Sequence, residues 1–332
     1  MKKILSAILL AGAFIFVGCS NGEMAKTEDG KEMHSLQLVL DYTPNTNHTG
    51  IYVADALGYY EEEGIDLDIA QPPEGGAPVL VASGKAQLGI DYQDTIASAY
   101  AQENPLPVTN IAALVQHNTS GIVSLKGNGM DRPKGMEGKR YATWGMETEQ
   151  AMVKNVVEED GGDFSKVQLL PSNFTDVFTG LGNEADAVWI FYGWDGVAAE
   201  VKEVPIDYFA FRDINPVFDY YTPTIIANNE FLEENGELTK AFLRATKKGY
   251  EYAIENPEEA ADILLKASPE LDRDIVVASQ KYLSKEYIAD AEKWGYIDSA
   301  RWNAFYQWLY ENKLIESEIE DDFGFTNEFL PE

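Results

Sequence analysis

The sequence predicts an α/β protein with two lobes, each an open, mainly parallel sheet flanked by helices. Short β-favouring runs alternate with amphipathic segments of about ten residues, which is the pattern of consecutive β-α units. This alternation occurs in two series that divide near residue 125, and the chain is helical from residue 236 onward. A chain of 332 residues is long enough for two hydrophobic cores. We therefore expect a cleft between two lobes.

The first series predicts four strands separated by helices. Residues 65–70, "IDLDIA", alternate apolar and polar side chains as a half-buried strand does, and Ile51, Ala54 and Leu57 recur at helical spacing. These elements would build the first part of lobe I. The predicted strands are 36–42, 65–70, 87–92 and 108–116, and the predicted helices are 51–58, 76–86 and 95–103.

The second series follows a loop rich in glycine and lysine that begins near residue 125. Its predicted strands are 139–144, 166–172, 185–193 and 205–211, and its predicted helices are 147–160 and 174–183. Residues 222–235 then predict a strand that returns to the first lobe, and four helical segments follow it. We therefore assign residues 36–120 and 224–332 to lobe I, and residues 121–223 to lobe II.

The N-terminal segment has the features of a secretory signal peptide. Residues 1–18 carry two lysines and an apolar run that is shorter than the roughly 20 residues of a membrane span. Phe16 to Cys19 resembles a bacterial lipobox, with Phe16 in place of the usual leucine. It predicts lipidation of Cys19 and anchoring on the extracytoplasmic face of the cell membrane, and an ordinary secretory signal is the alternative. Residues 19–35 are polar and aperiodic, so we expect a flexible tether.

Composition disfavours several classes of function. The formal net charge of −31 disfavours nucleic acids and anionic lipid surfaces as partners. Cys19 is the only cysteine, so the folded part has no disulfide, thiolate metal site or cysteine nucleophile. The three histidines include no pair four residues apart, and no P-loop spacing is present. We therefore expect neither a metal nor a cofactor.

Aromatic and polar side chains cluster just after the predicted strands. Because the carboxyl ends of strands in open α/β sheets border the ligand cleft, we expect these clusters to form one binding site. Aromatic rings would stack on a flat ligand, and carboxylates or amides would bind its polar edge. The candidate ligand-binding residues are Asp41, Tyr42, Asn45, His48, Tyr92, Trp144, Gly145, Met146, Glu147, Trp189, Tyr192 and Asp195.

Two of these assignments depend on local geometry. Trp189 and Trp194 lie five residues apart and would face opposite sides of a strand. At most one of them would then reach the cleft, and Tyr192 is the preferred contact. His48 lies in the turn "TPNTNHTG", residues 43–50, where it is either a ligand contact or a structural part of the turn.

The turn "WGMETEQ", residues 144–150, bears on the charge of the ligand. The N-terminus of a helix attracts anionic groups such as phosphate and sulfonate. Here Glu147 and Glu149 lie in the first helical turn, where carboxylates interact favourably with the helix dipole and would repel a bound anion. We therefore predict a ligand without such a group, with Glu147 in the site. For Glu149 a purely helix-stabilising role is equally open.

Three segments resemble the solute-binding proteins of ABC importers, in the branch related to yeast thiamin-pyrimidine synthase, namely residues 40–69, 227–272 and 301–315. The resemblance extends over residues 36–316. It implies a type II periplasmic-binding-protein-like fold, a monomer that closes on its ligand, and ABC permease and ATPase subunits as partners. The implied ligand is a thiamin-related aminopyrimidine, N-formyl-4-amino-5-aminomethyl-2-methylpyrimidine. Tyr42 and Asp195 depart from the Trp and Glu that family members often have.

Two other functions stay open at this point. The yeast synthase converts a histidine of its own and bound pyridoxal phosphate into a pyrimidine, and it carries a cysteine-rich stretch that this chain lacks. The export signal and tether also favour capture over catalysis, so we expect a binding protein and not an enzyme. A binding protein for riboflavin or another neutral heteroaromatic compound is the alternative, since stacked rings and amide edges would suit it as well.

Overall fold

The computed structural model describes residues 24–26, 32–172 and 177–332. The predicted signal segment, the lipidation site Cys19 and most of the predicted tether lie outside the described residues. Two strands nevertheless fall within or begin within residues 19–35, namely Met24–Lys26 and Glu32–Val39, which pair with each other. The first sheet thus begins before residue 36, where the sequence prediction placed its start.

The strands lie close to the predicted bounds, except that the second half of the predicted strand 222–235 is helical. Two strands were not predicted. One lies at Met24–Lys26, within the predicted tether, and the other at Ser120–Leu125, near the division between the two series. The strands are β1 (Met24–Lys26), β2 (Glu32–Val39), β3 (Ile65–Ala70), β4 (Leu88–Asp91), β5 (Val108–Ala113), β6 (Ser120–Leu125), β7 (Arg140–Thr143), β8 (Gln168–Pro171), β9 (Ala187–Phe191), β10 (Ile206–Ala210) and β11 (Thr224–Asn228).

The predicted helices are also present in the described chain, together with short ones that the sequence did not indicate. A π-helical turn, Tyr192–Gly196, begins inside the predicted strand 185–193. The α-helices are α1 (Thr49–Ala56), α2 (Tyr59–Glu62), α3 (Gly76–Ala82), α4 (Gln93–Tyr100), α5 (Glu147–Glu159), α6 (Val177–Gly180), α7 (Val197–Val201), α8 (Phe211–Ile214), α9 (Asn229–Glu234), α10 (Gly236–Glu255), α11 (Pro257–Ala267), α12 (Arg273–Leu283) and α13 (Ser299–Glu311).

The strands form two mixed sheets. In the first sheet the order is β1-β2-β4-β11-β5, with β3 also paired to β2, and in the second sheet it is β10-β6-β9-β7-β8. β2, β3 and β4 are parallel, whereas β11 runs antiparallel to β4 and β5. In the second sheet β7, β8 and β9 are parallel, and β6 is antiparallel to β9 and β10. β6 and β11, which run against their neighbours, each follow a crossing from the other sheet, and β1 at the sheet edge is also antiparallel to β2.

Two chain crossings connect the sheets, residues 114–119 before β6 and residues 211–223 before β11. One buried cluster contains side chains of both sheets, including Val39 of the first and Tyr141 of the second. One continuous buried cluster therefore extends from the first sheet to the second. Within the described chain, no helix combines the length and apolar character needed to span a bilayer.

The helices after β11 cover the first sheet. α1 packs on α10, and a Cβ added to Gly249 would lie 1.9 Å from the carbonyl oxygen of Gly50. Only glycine permits this close approach of two helix backbones. The contact holds α1, and with it the turn that precedes α1, against the long C-terminal helix.

Candidate functional site

A cavity of about 580 Å³ lies between the two sheets. Its volume is within the range of small-molecule sites, about 300–1,000 Å³. Two groups of residues form much of its surface. The first wall consists of residues 41–47 and Tyr92, after β2 and β4. The second wall consists of residues 188–191 and 193–195 together with Trp144, at the ends of β9 and β7.

The structure brings most of the predicted ligand-binding residues to this cavity. Those that line it are Asp41, Tyr42, Asn45, Tyr92, Trp144, Trp189 and Asp195. The other predicted residues do not line it, namely His48, Gly145, Met146, Glu147 and Tyr192. The ends of the strands thus bring seven of the twelve predicted residues to one cavity.

Asp41 is the centre of the first wall. Its Oδ1 lies 2.6 Å from His48 Nε2, and its Oδ2 accepts a hydrogen bond from the Tyr92 hydroxyl. Burial opposes ionisation of Asp41. The hydrogen bonds from His48 and from the Tyr92 hydroxyl outweigh this effect and hold the pKa of Asp41 below its ordinary value. Burial and the Asp41 carboxylate raise the pKa of Tyr92, which therefore stays a donor.

His48 is a structural part of the turn. Its side chain is fully buried, and its Nδ1 accepts the backbone N–H of Asn45 at 3.2 Å. The proton therefore resides on Nε2, which donates to Asp41. Asn45 in turn accepts the backbone N–H of Asn47 at 2.9 Å, so Asn45 and His48 form a reciprocal capping box. The sequence prediction left His48 open, and the structure shows both ring nitrogens engaged within the protein.

The second wall is aromatic. Trp144 packs on Trp189 with ring centroids 5.5 Å apart, and Trp189 packs on Phe211 at 4.2 Å. Trp189 is buried, and its indole Nε1 has no hydrogen-bond partner among the described residues. Trp144 is 45% exposed and Tyr42, on the first wall, is 66% exposed. Large exposed rings thus border the cavity from both sheets.

The expectation for residues 189–195 is corrected by the π-helical turn. β9 ends at Phe191, so the alternation of a strand does not continue to Trp194. Trp189 and Trp194 therefore both line the cavity, together with Asp195. Tyr192, the preferred contact, points elsewhere. Its ring packs 4.8 Å from Tyr208 and 5.5 Å from Tyr282, and its hydroxyl donates to Glu200.

The expectation for residues 145–147 is corrected as well. Gly145 has a φ of +82°, which favours glycine, and it lies between Trp144, which lines the cavity, and the start of α5. Met146 and Glu147 are exposed to solvent. Glu149 is instead buried behind the second wall, where it accepts hydrogen bonds from residues 141–144. The sequence did contain a signal that Glu149 and not Glu147 would turn back toward the protein, because Glu149 is the third residue of α5.

The electrostatic character of the cavity is acidic. Among the described residues, those that line it include Asp41 and Asp195 and no lysine, arginine or histidine. Residues 32–172 and 177–332 also contain no cluster of His, Cys, Asp and Glu that is placed to hold a metal ion. The cavity is therefore suited to neutral or cationic compounds, and it offers an anion no side-chain counter-charge.

Ser279 of α12 links the two walls, and the sequence did not indicate it. Its Oγ lies 2.6 Å from Thr46 Oγ1 and donates to the carbonyl oxygen of Gly193. Tyr287 donates to the carbonyl oxygen of Thr46 at 2.6 Å. The turn of the first wall and the π-helical turn of the second are thus fastened to the same helix. Other residues that line the cavity come from the segment before β11 and from the segment between α11 and α12, namely Thr222, Pro223 and Leu271.

Comparisons with known proteins agree with this architecture. The family described as NMT1/THI5 like matches residues 45–260. The formylaminopyrimidine-binding protein of Halalkalibacterium halodurans is 30% identical over 338 aligned positions, which cover 98% of this chain and 98% of that protein. The 4-amino-5-hydroxymethyl-2-methylpyrimidine phosphate synthase THI5 of Saccharomyces cerevisiae is 24% identical over 320 positions, which cover 89% and 87%.

A solved structure shows the same fold. The alkanesulfonate-binding protein SsuA from Xanthomonas axonopodis pv. citri, bound to MOPS, superposes with a TM-score of 0.67 at 10% identity, over 88% of this chain and 98% of that one. At this identity the likeness concerns the fold alone. The α/β fold, with two mixed sheets flanked by helices, is therefore that of the periplasmic solute-binding proteins, as the sequence predicted.

Proposed function

This chain belongs to the NMT1/THI5-like family, and we propose that it is the substrate-binding protein of an ABC importer for a thiamin-related aminopyrimidine. The ligand that we propose is N-formyl-4-amino-5-aminomethyl-2-methylpyrimidine, taken up for thiamin salvage. The cavity surface carries this proposal. It combines aromatic rings from both sheets with two carboxylates and, among the described residues, no basic side chain.

Aromatic rings would hold the flat pyrimidine. Tyr42 and Trp144 are large, exposed and carried by loops of opposite sheets. Offset stacking on such rings contributes about 0.5–1.5 kcal/mol per pair beyond the burial of area. The buried ring of Trp189 packs on Trp144, with the ring centroids 5.5 Å apart.

Carboxylates would bind the polar edge of the ligand. Asp195 lines the second wall and Asp41 the first. Asp41 accepts hydrogen bonds from His48 and Tyr92, and a carboxylate with two oxygens can accept further donors from a ligand. An exocyclic amine or a formamide N–H would supply the donors. A phosphate or sulfonate group would face two negative charges in the same space, so a ligand without an anionic group fits better.

Closure of two lobes would complete binding. We assign residues 36–120 and 224–332 to lobe I and residues 121–223 to lobe II, with the crossings 114–119 and 211–223 as hinges. Rotation about the crossings would cover the exposed rings of Tyr42 and Trp144. The closed monomer would then dock on an ABC permease with its ATPase subunits. Lipid on Cys19 would hold the protein at the extracytoplasmic face of the membrane.

Placement of the histidines supports capture without conversion. His34, His48 and His117 are all within the described chain, and none of them lines the cavity. His48 comes nearest in sequence to a lining residue, but its two ring nitrogens are engaged by Asn45 and Asp41. A reaction that consumes a histidine of the protein would need one in the cavity. We therefore propose a binding protein and not a synthase.

The size of the cavity also allows one alternative class of ligand. A volume of about 580 Å³ also suits a heteroaromatic compound larger than a single pyrimidine, such as riboflavin. Such a compound would use the same aromatic surfaces. A larger compound would extend beyond the space between Tyr42 and Trp144 and would contact more of the residues that line the cavity.

Calorimetric titration of the protein from residue 20 onward tests the proposal. The formylaminopyrimidine should bind with sub-micromolar affinity, and riboflavin, thiamin and taurine serve as comparators. Asp195→Asn should weaken the pyrimidine by about tenfold or more, since a hydrogen bond to a charged group contributes about 1.5–3 kcal/mol. Glu147→Gln is the matched control, because Glu147 is exposed and lies outside the cavity.

Three outcomes would contradict parts of this proposal. A response to riboflavin with none to the pyrimidine would refute the ligand and keep the binding protein. Equal weakening in Asp195→Asn and Glu147→Gln would refute the proposed site. Turnover of the bound pyrimidine, detected as a new product by mass spectrometry, would refute the assignment as a binding protein.

A further inference from the structure

Glu149 is a buried carboxylate at the start of α5. Its side chain turns back toward β7, and only 3% of the residue is exposed. Tyr141 donates to Oε1 at 2.5 Å, and Thr143 donates to Oε2 at 2.9 Å. The backbone N–H of Trp144 is shared between the two oxygens at 3.1 and 3.0 Å. Three donors from one short stretch of chain thus surround this single carboxylate.

All of these neighbours act as donors. The backbone N–H of Trp144 can only donate. The Thr143 hydroxyl oxygen accepts the backbone N–H of Gly145 at 2.9 Å, and the hydroxyl hydrogen of Thr143 is directed to Glu149. Burial and the Glu149 charge raise the pKa of Tyr141 far above its ordinary value, which keeps the hydroxyl protonated. A set of donors without an acceptor suits the ionised form of a carboxylate.

The position of Glu149 is one where a ligand anion would be stabilised. The first turn of a helix carries a partial positive charge, and loop N–H groups next to it bind phosphate and sulfonate. α5 is thirteen residues long. Ala142 and Trp144, which flank the Glu149 carboxylate in the β7–α5 connection, line the cavity. The protein therefore fills with its own side chain the place next to the cavity that would otherwise favour an anion.

We propose that Glu149 is a specificity-determining residue, which occupies the anion-binding position beside the cavity and so excludes ligands that carry a phosphate or sulfonate group. The inference rests on the proposed function and narrows its substrate class to compounds without such a group. Two further observations support it. Asp41 and Asp195 line the same cavity, and no basic side chain lines it among the residues that the structure describes.

A purely structural role makes a different prediction. If Glu149 only stabilised the start of α5, its loss would lower stability and would weaken all ligands alike. A selectivity role changes the ratio between two ligands that differ by one phosphate. Glu147 offers an internal comparison, since it lies in the same helical turn with the same charge but is exposed.

The experiment measures that ratio. Wild type, Glu149→Gln, Glu149→Ala and Glu147→Gln are titrated with 4-amino-5-hydroxymethyl-2-methylpyrimidine and with its phosphate ester. Glu149→Gln removes the charge with little change of volume, and Glu149→Ala also opens space. Relative to the unphosphorylated compound, the ester should gain at least about tenfold in affinity in the Glu149 variants, a difference of about 1.4 kcal/mol. The ratio in Glu147→Gln should equal that of the wild type.

A second readout separates this inference from the proposed ligand. Inorganic phosphate should raise the melting temperature of Glu149→Gln and Glu149→Ala, but not of wild type or Glu147→Gln, whichever pyrimidine the protein binds. If Glu149→Ala does not fold, Glu149→Gln decides. An unchanged ratio together with no stabilisation by phosphate overturns the inference. If no pyrimidine binds the wild type, the proposed function fails and the phosphate readout alone decides about Glu149.

Discussion

The two walls of the cavity are organised by different interactions. The first wall is polar and is held by short hydrogen bonds around Asp41, with His48 and Tyr92 as its partners. The second wall is a layer of aromatic rings in which Trp144 remains 45% exposed. The polar groups of the first wall are therefore largely engaged within the protein, and the second wall presents a surface that a ligand can cover. Changes to the first wall should thus alter stability, and changes to the second should alter affinity.

Removal of His48 should have the largest effect. His48→Ala leaves the buried Asp41 carboxylate without its partner, and the loss of one member of a buried pair costs about 3–5 kcal/mol. Urea unfolding monitored by circular dichroism measures the change. His34→Ala is the control, since His34 is exposed on β2 and should be near neutral. A loss below about 1 kcal/mol would show that the first wall does not depend on this pair.

The buried carboxyl group of Asp91, beside the first wall, makes the stability of the protein depend on pH. It lies at the end of β4, next to Tyr92, and burial raises its pKa to about 7 from 3.8. As pH rises from about 4 to about 7, Asp91 ionises in the unfolded chain before it does in the folded protein. Its contribution to stability therefore falls across this window and stays low above it.

Asp91→Asn should remove that dependence. At pH 8 the variant should be more stable than wild type, by up to about 4 kcal/mol, because one pKa unit corresponds to about 1.36 kcal/mol. At pH 4 the difference should largely vanish. Unfolding curves at both pH values measure it, with the exposed Asp66→Asn as control. A gain that is equal at both pH values would contradict the assignment to Asp91.

Ser279 connects the two walls, so its loss should affect both stability and affinity. Ser279→Ala leaves the buried Thr46 hydroxyl and the Gly193 carbonyl without this partner, at a cost of about 1–3 kcal/mol. Ligand affinity should fall in parallel, because both turns lose a shared anchor. Ser284→Ala is the control, since Ser284 follows the last residue of the same helix and its half-buried hydroxyl donates only to the nearby carbonyl oxygen of Lys281. Unchanged affinity despite lowered stability would show that the walls are positioned independently.

Much of the fold could be predicted because its signals are local. The alternation in residues 65–70 predicted β3 with its observed bounds. The amphipathic pattern of residues 147–160 predicted α5 within one residue. β6 lies at the point where the chain passes from the first series to the second, and the π-helical turn Tyr192–Gly196 begins inside a run with the composition of a strand, so neither was predicted. The mixed direction of the sheets depends on where the chain enters each sheet, which periodicity does not record.

By itself the sequence determined the types of most elements, the acidic charge, and the grouping of polar and aromatic residues after strands. These properties follow from spacings of a few residues, such as the three that separate Asn45 from His48 in their capping box. Only the tertiary structure decided that Trp194 rather than Tyr192 lines the cavity, and that Glu149 rather than Glu147 is buried. It also brought Ser279 to Thr46, 233 positions away in the chain. In each case the neighbours that orient the side chain come from other elements, so their packing, and not the local pattern, sets its direction.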